Sequence, residues 1–500
     1  MLQRKRALIF LPVLFLLNTF VATAQDFPGF RSANYGGANS VFFNPANIAD
    51  SRYKWDFNLL SISTMVGNDK ASFNLKTIGE SFGSDSLMNR FIGNNPGNTS
   101  AIINASIQGP SVMFALNKKS SVALTTRARV MFNALDIDGK LANQLISNTP
   151  DESSLPYSIQ SASDMRININ GWSEIGASYA RVLKSDGPHF IKSGITLKYL
   201  GGVANGYVRA KNITGTIDFD NAIDEAYLNN TTGLLEIGMG GINIDELSGG
   251  NNEATIGYKK LLKFNGSGIG ADIGFVYELR RNAEAHTYGD DNEERRDVNK
   301  YKLKLGLALL DIGGINYKKD MKRSGSYNVD ISGTEKWYFQ RELADKPIDS
   351  IKHYLDTHPE YFTPTGSNSA ASYKAALPTT LQVDADYNIH KGFYVNAMGI
   401  LAMNNGSKAG SANYYNSFTV TPRFESRALG IFLPVSYNSL TQLNAGAGLR
   451  LGPLFVGSGS ALTALLGNSK QADFYFGLHF GSLHKNDFKK WKKKQRSAEN

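Results

Sequence analysis

Two aspartates two positions apart are the residues of this sequence best suited to acid–base chemistry. Asp384 and Asp386 lie in the alternating run Thr379–Tyr387, so a strand would place both carboxylates on one face. Two such groups can serve as general acid and general base in hydrolysis. They equally suit the polar lumen of a barrel, where ionised groups need no catalytic role. We expect no enzymatic activity and interpret both aspartates as lumen-facing residues.

Other catalytic or cofactor-binding patterns are missing from the sequence. The seven histidines lack metal-ligand spacing, and the pair His353 and His358 is interpreted as solvated loop residues. The chain has no cysteine, which excludes disulfides, thiolate metal sites and a lipid-anchoring cysteine. Gly266–Gly270 is rich in glycine but opens a strand, not the helix that a phosphate loop requires. We therefore expect no catalytic residue, no metal and no cofactor.

Two arginines occupy one face of the clearest strand pattern in the chain. Arg127 and Arg129 share a parity in Val122–Asn133, whereas Val122, Leu124 and Val130 share the other. Such a strand has one apolar and one charged face. We predict that the apolar face meets lipid, that both arginines face the lumen, and that they pair with acids such as Asp384, Asp386 and Asp56.

The N-terminus has the form of a secretory signal. Three basic residues, Arg4 to Arg6, precede the apolar run Ala7–Leu17, and Ala22-Thr23-Ala24 is a small-residue cleavage site. An uncleaved membrane anchor is the alternative, but the run is short for a helix that spans a bilayer. We predict cleavage after Ala24 and export of the mature chain.

Composition favours β-structure and argues against a nucleic-acid partner. Glycine numbers 49, and 28 Phe, 23 Tyr and 4 Trp supply the aromatic residues typical of barrel girdles. Most of the net charge of +9 lies in the signal peptide and in the tail Lys485–Asn500. The rest of the chain is nearly neutral, so no broad nucleic-acid-binding face is implied.

Short alternating segments recur after residue 52 and predict about 14 antiparallel strands. The connections are unequal, and four are long and polar: Asn143–Asp164, Ala210–Lys260, Arg281–Lys300 and Lys319–Ala376. Outer-membrane barrels typically have long loops on the extracellular side and short turns on the periplasmic side. A secreted β-sandwich is the alternative, although loops of this length are unusual in compact soluble domains. We predict an all-β transmembrane barrel with a short N-terminal plug.

The prediction divides the chain into a signal peptide (residues 1–24), a plug or hatch (25–52), a barrel (53–481) and a basic tail (482–500). Within the last long loop, Asp349–His358 is predicted to be a short helix. Leu451–Gly467 is interpreted as two short strands and a turn, because Pro453 and four glycines disfavour a helix. The tail can bind an acidic periplasmic partner or lipid, or can be a solvated end.

The segment after the signal resembles the opening of FadL-type fatty-acid transporters. It contains Phe42-Phe43-Asn44-Pro45-Ala46, and in those proteins an N-terminal hatch with an Asn-Pro-Ala motif plugs a 14-stranded barrel. Gly268–Gly274, Leu309–Ile315 and Ala447–Pro453 are similar to segments of an uncharacterised exported family of FadL-like barrels. The resemblance implies hatch residues at Asn44, Pro45 and Ala46. The short hatch and the hydrophilic C-terminal tail depart from the FadL pattern.

The sequence thus leads to two hypotheses for an outer-membrane protein of a Gram-negative cell. In the first, a non-enzymatic barrel surrounded by outer-membrane lipid takes up or binds hydrophobic small molecules. In the second, the barrel is a structural adaptor for secretion or cell-surface protein assembly, with a periplasmic or secretion partner held through the basic tail. An outer-membrane hydrolase is the least favoured alternative, because it lacks a catalytic constellation.

Overall fold

The structure of the 500-residue chain is a computed structural model. The structure describes residues 26–74, 97–141, 155–160, 164–241, 264–281, 286–288, 293–343, 348–365, 370–403, 409–484, 491 and 497. The predicted signal peptide and most of the predicted tail lie outside the described residues. So does most of the predicted loop Asn143–Asp164.

The described part of the chain contains strands throughout and a few short helices. The strands are β1 Tyr53–Asn68, β2 Asn98–Gln108, β3 Ser111–Ala115, β4 Ser120–Asp138, β5 Tyr157–Gln160, β6 Met165–Asp186, β7 His189–Asp220, β8 Glu225–Gly241, β9 Gly266–Leu279, β10 Thr287–Tyr288, β11 Glu293–Glu294, β12 Leu303–Lys318, β13 Gly325–Ile331, β14 Phe362–Pro364, β15 Ser372–Ala376, β16 Thr380–His390, β17 Phe393–Ala402, β18 Ser417–Glu425, β19 Leu429–Phe432, β20 Val435–Asn438, β21 Gln442–Ala445, β22 Ala447–Leu451, β23 Leu454–Ser458 and β24 Gln471–Leu483. The helices are α1 Phe339–Leu343, α2 Ile348–Thr357 and α3 Ala461–Leu466, and 3-10 turns cover Phe30–Ser32, Gly37–Phe42 and Pro45–Ile48.

Antiparallel pairing closes the sheet into a barrel of 14 strands. Short breaks divide some barrel strands, so that β2 and β3 act as one strand, as do β15 and β16, β19 and β20, and β21 and β22. The first strand, β1, pairs with the last, β24, with Ile62 opposite Phe476. The predicted all-β class and strand number are confirmed.

Side-chain alternation gives the barrel an apolar outer face. On β4, Leu124 and Val130 are 52% and 44% exposed, whereas Arg127 and Arg129 on the opposite parity are 7% and 2% exposed. A closed barrel leaves no sheet edge unpaired, and an apolar outer band suits it to lipid. Among the described residues, no helix is long and apolar enough to cross a membrane.

The two ends of the barrel differ in their connections. We call the end that holds Tyr53 and Leu483 the base and the opposite end the mouth. Base connections 116–119, 187–188, 391–392, 426–428 and 452–453 are short. At the mouth, β7 and β8 extend beyond the barrel and pair with each other, and β13 pairs with β8. The helix α2 packs against this extension through Leu355.

Three predicted long loops are corrected by the structure. Lys319–Ala376 contains β13, β14 and β15, and β15 pairs with β12 in the barrel wall. Arg281–Lys300 lies at the base, because β9 runs towards that end and Leu279 pairs with His189 beside the short turn 187–188. The length of this connection did not reveal at which end of the barrel it lies, because that depends on how many strands precede it. Ala210–Lys260 is not one loop, since β7 continues to Asp220 and β8 returns from Glu225. Polar residues on both faces concealed this extension.

Two smaller predictions can also be compared with the structure. The helix expected at Asp349–His358 is present as α2, shifted by one residue. Leu451–Gly467 contains the expected strand, turn and strand up to Ser458, but its last part is α3, so the strand-only interpretation was wrong there. Ala461, Leu462, Ala464 and the two leucines after it are good helix formers that outweigh the glycines upstream.

Candidate functional site: the filled lumen and a groove in the wall

The N-terminal segment, residues 26–52, lies inside the barrel near the base. Phe27 and Phe30 are 0% and 1% exposed, and the Phe30 ring stacks on Phe455 with centroids 3.8 Å apart. Phe432 and Tyr475 complete this aromatic cluster from the barrel wall. Aromatic contact of this kind contributes beyond the burial of area alone. The segment is therefore packed against the inner face of the barrel wall.

The motif Asn44-Pro45-Ala46 sits in a slot between β7 and β9. Asn44 caps the following turn, since its Oδ1 accepts the Ala46 N–H at 2.9 Å, and its Nδ2 donates to the Phe275 carbonyl at 3.2 Å. A Cβ atom on Gly274 would lie 2.0 Å from Asn44 Oδ1, and one on Gly194 would lie 2.6 Å from the Ala46 nitrogen. Only glycine permits this close approach of the motif to the wall.

Polar contacts hold the rest of the N-terminal segment along its length. Arg31 donates to Gln382 at 2.6 Å, and the Asn34 side chain donates to Glu425 at 3.0 Å. The Ala38 N–H donates to Asp56 at 2.7 Å. These partners lie on β16, β18 and β1, so the segment is tied to widely separated parts of the barrel.

Near the base, Asp50 and Asp56 contact basic side chains. Asp50 pairs with Arg280 at 2.7 Å and with Lys300 at 3.0 Å, both from the connection that folds under the barrel. Asp56 is also within 2.7 Å of His479 on β24. The contact of Asp56 with His479 joins the first and last strands, and the Asp50 pairs join the base connection to the N-terminal segment.

Above the segment, six buried charges form one cluster. Arg127 pairs with Glu174 at 2.9 Å, and Arg129 pairs with Asp311 at 2.7 Å. Lys198 completes the cluster by pairing with Asp272 at 2.7 Å and with Asp311 at 2.6 Å. Three cations and three anions balance, as buried charges must.

The two arginines do not pair with the acids that the sequence suggested. Glu174 is directly opposite Arg127 in the β4–β6 register, whereas Asp384 and Asp386 lie on β16. Neighbouring strands bring side chains within reach that sequence distance hides. The expected pairing of Arg127 and Arg129 with Asp384, Asp386 or Asp56 was therefore wrong.

Asp384 and Asp386 have separate partners. Asp386 is fully buried and accepts two hydrogen bonds from Arg423, at 2.6 and 2.7 Å, and one from the Tyr301 hydroxyl at 2.5 Å. Asp384 accepts one hydrogen bond from Asn396 at 3.4 Å. A carboxylate saturated by arginine and tyrosine is an ion-pair partner, and this arrangement does not resemble an acid–base pair that shares one proton.

A second segment, residues 409–416, enters the lumen from the mouth between β17 and β18. Three asparagines on β4, β6 and β7 hold its backbone: Asn133 donates to the Asn413 carbonyl at 3.0 Å, Asn168 to Ser411 at 2.8 Å and Asn205 to Gly410 at 2.8 Å. Side-chain amides here satisfy carbonyls that would otherwise be buried without a partner.

The two inserted segments meet at Tyr414. Its hydroxyl accepts from Arg129 at 2.7 Å and donates to Asp26 at 3.2 Å. The cavity beside this contact, which Arg31 and Gln108 also line, has a volume of about 30 Å³. That volume accommodates about one water molecule. At this level the described lumen is therefore filled by protein.

On the outer wall lies an apolar groove of about 610 Å³. Its central row follows the sheet register across five strands: Leu124, Ala177, Leu197, Ala271 and Ile312. Two of these positions are alanine, and the larger neighbours Tyr199 and Ile269 stand at 52% and 79% exposure beside them. Four strand spacings give the row a length of about 19 Å.

The wall beneath this groove has an irregular backbone. Leu310 and Asp311 both oppose Asp272, and Asp311 has a φ of 56°. The Asp311 N–H donates to the Asp272 carboxylate at 2.7 Å, not to a carbonyl of β9. Its own carbonyl accepts from the Thr379 hydroxyl at 2.8 Å. A β-bulge therefore interrupts the regular ladder on both sides of β12 directly below the apolar groove.

The comparisons with known proteins identify a family and several similar solved structures. A model of the family of unknown function DUF5723 matches residues 45–459. The chain belongs to this family. The predicted resemblance to an uncharacterised FadL-like barrel family is confirmed. Among curated proteins, none matches the chain.

Solved structures similar to this DUF5723 chain include a FadL homologue and two hydrocarbon-transport proteins. A Pseudomonas aeruginosa FadL homologue is 9% identical, with 92% of this chain and 99% of that chain covered and a TM-score of 0.39. A TodX monoaromatic hydrocarbon channel mutant is 8% identical, with 90% and 95% covered and a TM-score of 0.43. The Ralstonia pickettii toluene transporter TbuX is 9% identical, with 92% and 98% covered and a TM-score of 0.38.

The structure also reveals residues of this DUF5723 protein that the sequence interpretation missed. Glu174, Lys198 and Asp272 lie at inward-facing positions of strands whose side chains alternate between the two faces. The alternation pattern alone could therefore have identified them. Asp311 and Tyr414 could not be found this way, because one lies in a bulge and the other in a mouth loop.

Proposed function

We propose that this protein is a non-enzymatic outer-membrane barrel that binds hydrophobic small molecules in its wall groove and passes them between the lumen and the membrane. The mouth would face outwards, and residues 25–52 would act as the plug with Asn44, Pro45 and Ala46 at its centre. One observation carries the proposal: the apolar groove lies directly over the interrupted part of the wall around Asp311.

The chemistry of the groove suits an uncharged apolar ligand. Its lining is apolar apart from the Tyr199 hydroxyl and Lys198, and the Lys198 ammonium pairs with Asp272 and Asp311 on the inner side. A volume of several hundred Å³ is in the range of ligand sites. Because a regular ladder is absent at Asp311, local opening of β12 there breaks fewer backbone hydrogen bonds than elsewhere.

The proposal is tested by filling the groove. Replacing Ala271 by Phe places an aromatic ring in the central row, whereas Ala385→Phe adds the same ring to the outer face of β16, away from the groove. Cells that produce the wild type or Ala385→Phe should accumulate labelled toluene or a labelled fatty acid faster than cells that lack the protein. Ala271→Phe should lose that gain. Equal uptake with and without the protein would contradict the proposal.

The adaptor function is the second candidate, and the mouth favours it. Beyond the barrel, β8, β13 and α2 build a folded cap whose core contains Trp337, Tyr354 and Phe362. A cap with its own core, above a lumen filled by protein, offers a rigid surface to a partner. A stoichiometric partner that co-purifies with the wild type and is lost when the cap or the basic tail is deleted would favour this function.

A further inference from the structure

Among the described residues, the base of the barrel carries an excess of exposed positive charge. Eight basic side chains of the described ranges are exposed there against two acidic ones, Asp186 and Glu294. The basic residues are Lys54, Lys118, Lys119, Arg181, Lys184, Arg281, Lys391 and Arg427. At the mouth, exposed residues of both signs occur together, for example Lys322 with Asp330 and Arg341 with Glu360. Within the described part of the chain, the excess is therefore found at the base and not at the mouth.

The positive charges form a ring and not a patch. The rim of the base has seven positions: the start of β1 and the six connections between strands. Five of them carry an exposed Lys or Arg, and at a sixth, Gly187-Pro188, exposed Arg181 and Lys184 lie on the strand that leads into the turn. The connection at Gly452-Pro453 carries none. A protein partner is matched by a surface on one side. A ring around the whole circumference fits something that surrounds the barrel.

Aromatic side chains mark the depth at which this ring lies. Trp55 follows Lys54, Phe393 lies two residues after Lys391, and Tyr179 lies two residues before Arg181. These three rings point outwards and are 40%, 54% and 43% exposed. Outward aromatic residues at a barrel rim sit at the level of the lipid headgroups. The basic ring is therefore just beyond the apolar belt, at the level of the phosphates.

The contact between Lys302 and Tyr387 shows how a basic side chain and an outward aromatic ring combine at the base. The Lys302 ammonium lies 4.5 Å from the centre of the outward Tyr387 ring and donates to the Ile389 carbonyl at 3.0 Å. The same ammonium also donates to the Asn388 carbonyl at 2.5 Å, so this contact fixes a basic side chain beside an outward aromatic ring at the membrane boundary.

We propose that the base of the barrel binds the phosphate groups of anionic phospholipid headgroups in the surrounding leaflet through this basic ring. Each Lys or Arg near an anionic membrane surface contributes to attraction that salt screens. The ring selects anionic lipids from the leaflet and sets the depth of the base in it. This inference does not depend on the transport proposal.

The test measures lipid selectivity of the full chain refolded in phosphatidylcholine vesicles. Spin-labelled phosphatidylglycerol and spin-labelled phosphatidylcholine report the ratio of their association with the barrel. The wild type should prefer phosphatidylglycerol by about two- to fivefold at low salt, and the preference should decline towards one as salt is added.

Two variants with equal changes of charge separate the base from the mouth. The base variant replaces Lys54, Lys119, Lys391 and Arg427 by Gln, and the mouth variant replaces Lys70, Lys322, Arg341 and Lys374 by Gln. Only the base variant should lose the preference, while heat-modifiable gel mobility shows that both barrels have folded.

Three outcomes would overturn the proposal. The first is a wild-type ratio of one, and the second is equal loss of preference in the mouth variant. The third is binding of soluble polyglutamate without lipid selectivity, which would assign the ring to an acidic protein partner. If the base variant fails to fold, the salt dependence of the wild-type ratio decides, because a preference that salt does not reduce is not electrostatic.

Discussion

Tyr414 and Asp26 are 388 positions apart in the sequence, and their side chains form a hydrogen bond of 3.2 Å at the centre of the lumen. Tyr414 belongs to the segment that enters from the mouth, and Asp26 belongs to the segment that lies near the base. Arg129 on β4 donates to the same hydroxyl at 2.7 Å. Movement of either segment therefore requires this contact to break.

We expect Tyr414→Phe to loosen the mouth segment. The chain contains no cysteine, so a Ser411→Cys substitution provides one label site at a residue that is 2% exposed. Loss of the hydroxyl removes a hydrogen bond with a charged group, and maleimide labelling should become about tenfold faster. Tyr437→Phe, on the outer face, serves as the control and should leave labelling slow. Fast labelling of Ser411→Cys in the otherwise wild-type chain would show that the segment is not held inside.

Substitution of Gly274 by alanine is expected to displace Asn44 from its position against β9. The new Cβ would lie 2.0 Å from Asn44 Oδ1, so the motif must move away from β9. Overpacking of this kind costs about 1–3 kcal/mol. Protease cleavage within residues 26–52 should become faster, as followed by mass spectrometry. Gly399→Ala on β17, where the nearest atom is 3.9 Å away, is the matched control and should retain protection.

The balance of the buried charge cluster can be tested at Asp311. Asp311→Asn keeps the size and the bulge conformation but leaves Arg127, Arg129 and Lys198 with one anion too few. A free energy of unfolding lower by about 3–5 kcal/mol is expected in urea titrations. Adding Lys198→Met should recover part of the loss. Asp186→Asn removes an exposed pair with Lys184 and should change nothing measurable; an equal loss there would contradict the assignment.

The free energy of unfolding should decrease as the pH is lowered, partly because of His484, which follows the last strand at the base. Burial and the nearby guanidinium groups of Arg296 and Arg52 lower the pKa of His484 from 6.5 to about 4. The unfolded chain therefore takes up a proton at this residue between pH 6.5 and about 4, while the folded protein does not, and stability declines over that range. In urea titrations over this pH range, the free energy of unfolding of His484→Gln should decline less than that of the wild type. His353→Gln, at an exposed histidine of the mouth, should behave like the wild type.

Much of the barrel could be predicted from side-chain alternation. Val122–Asn133 has an apolar and a charged face in the sequence, and the same residues alternate between exposed and buried in the structure. The strand number was also predicted, because each crossing of the wall needs about ten alternating residues between turns. Loop position was predicted less well. Arg281–Lys300 was assigned to the wrong end because nothing in its composition encodes the direction of the preceding strand.

The sequence by itself determined which residues of each strand face inwards, since the period of two is a local property of an extended chain. It also indicated export, the absence of cysteine chemistry and the resemblance carried by Asn44-Pro45-Ala46. Only the tertiary structure decided that Arg127 meets Glu174, that Tyr414 meets Asp26 and that the apolar groove lies over Asp311. These contacts join residues from different strands and loops, and closure of the barrel brings them together.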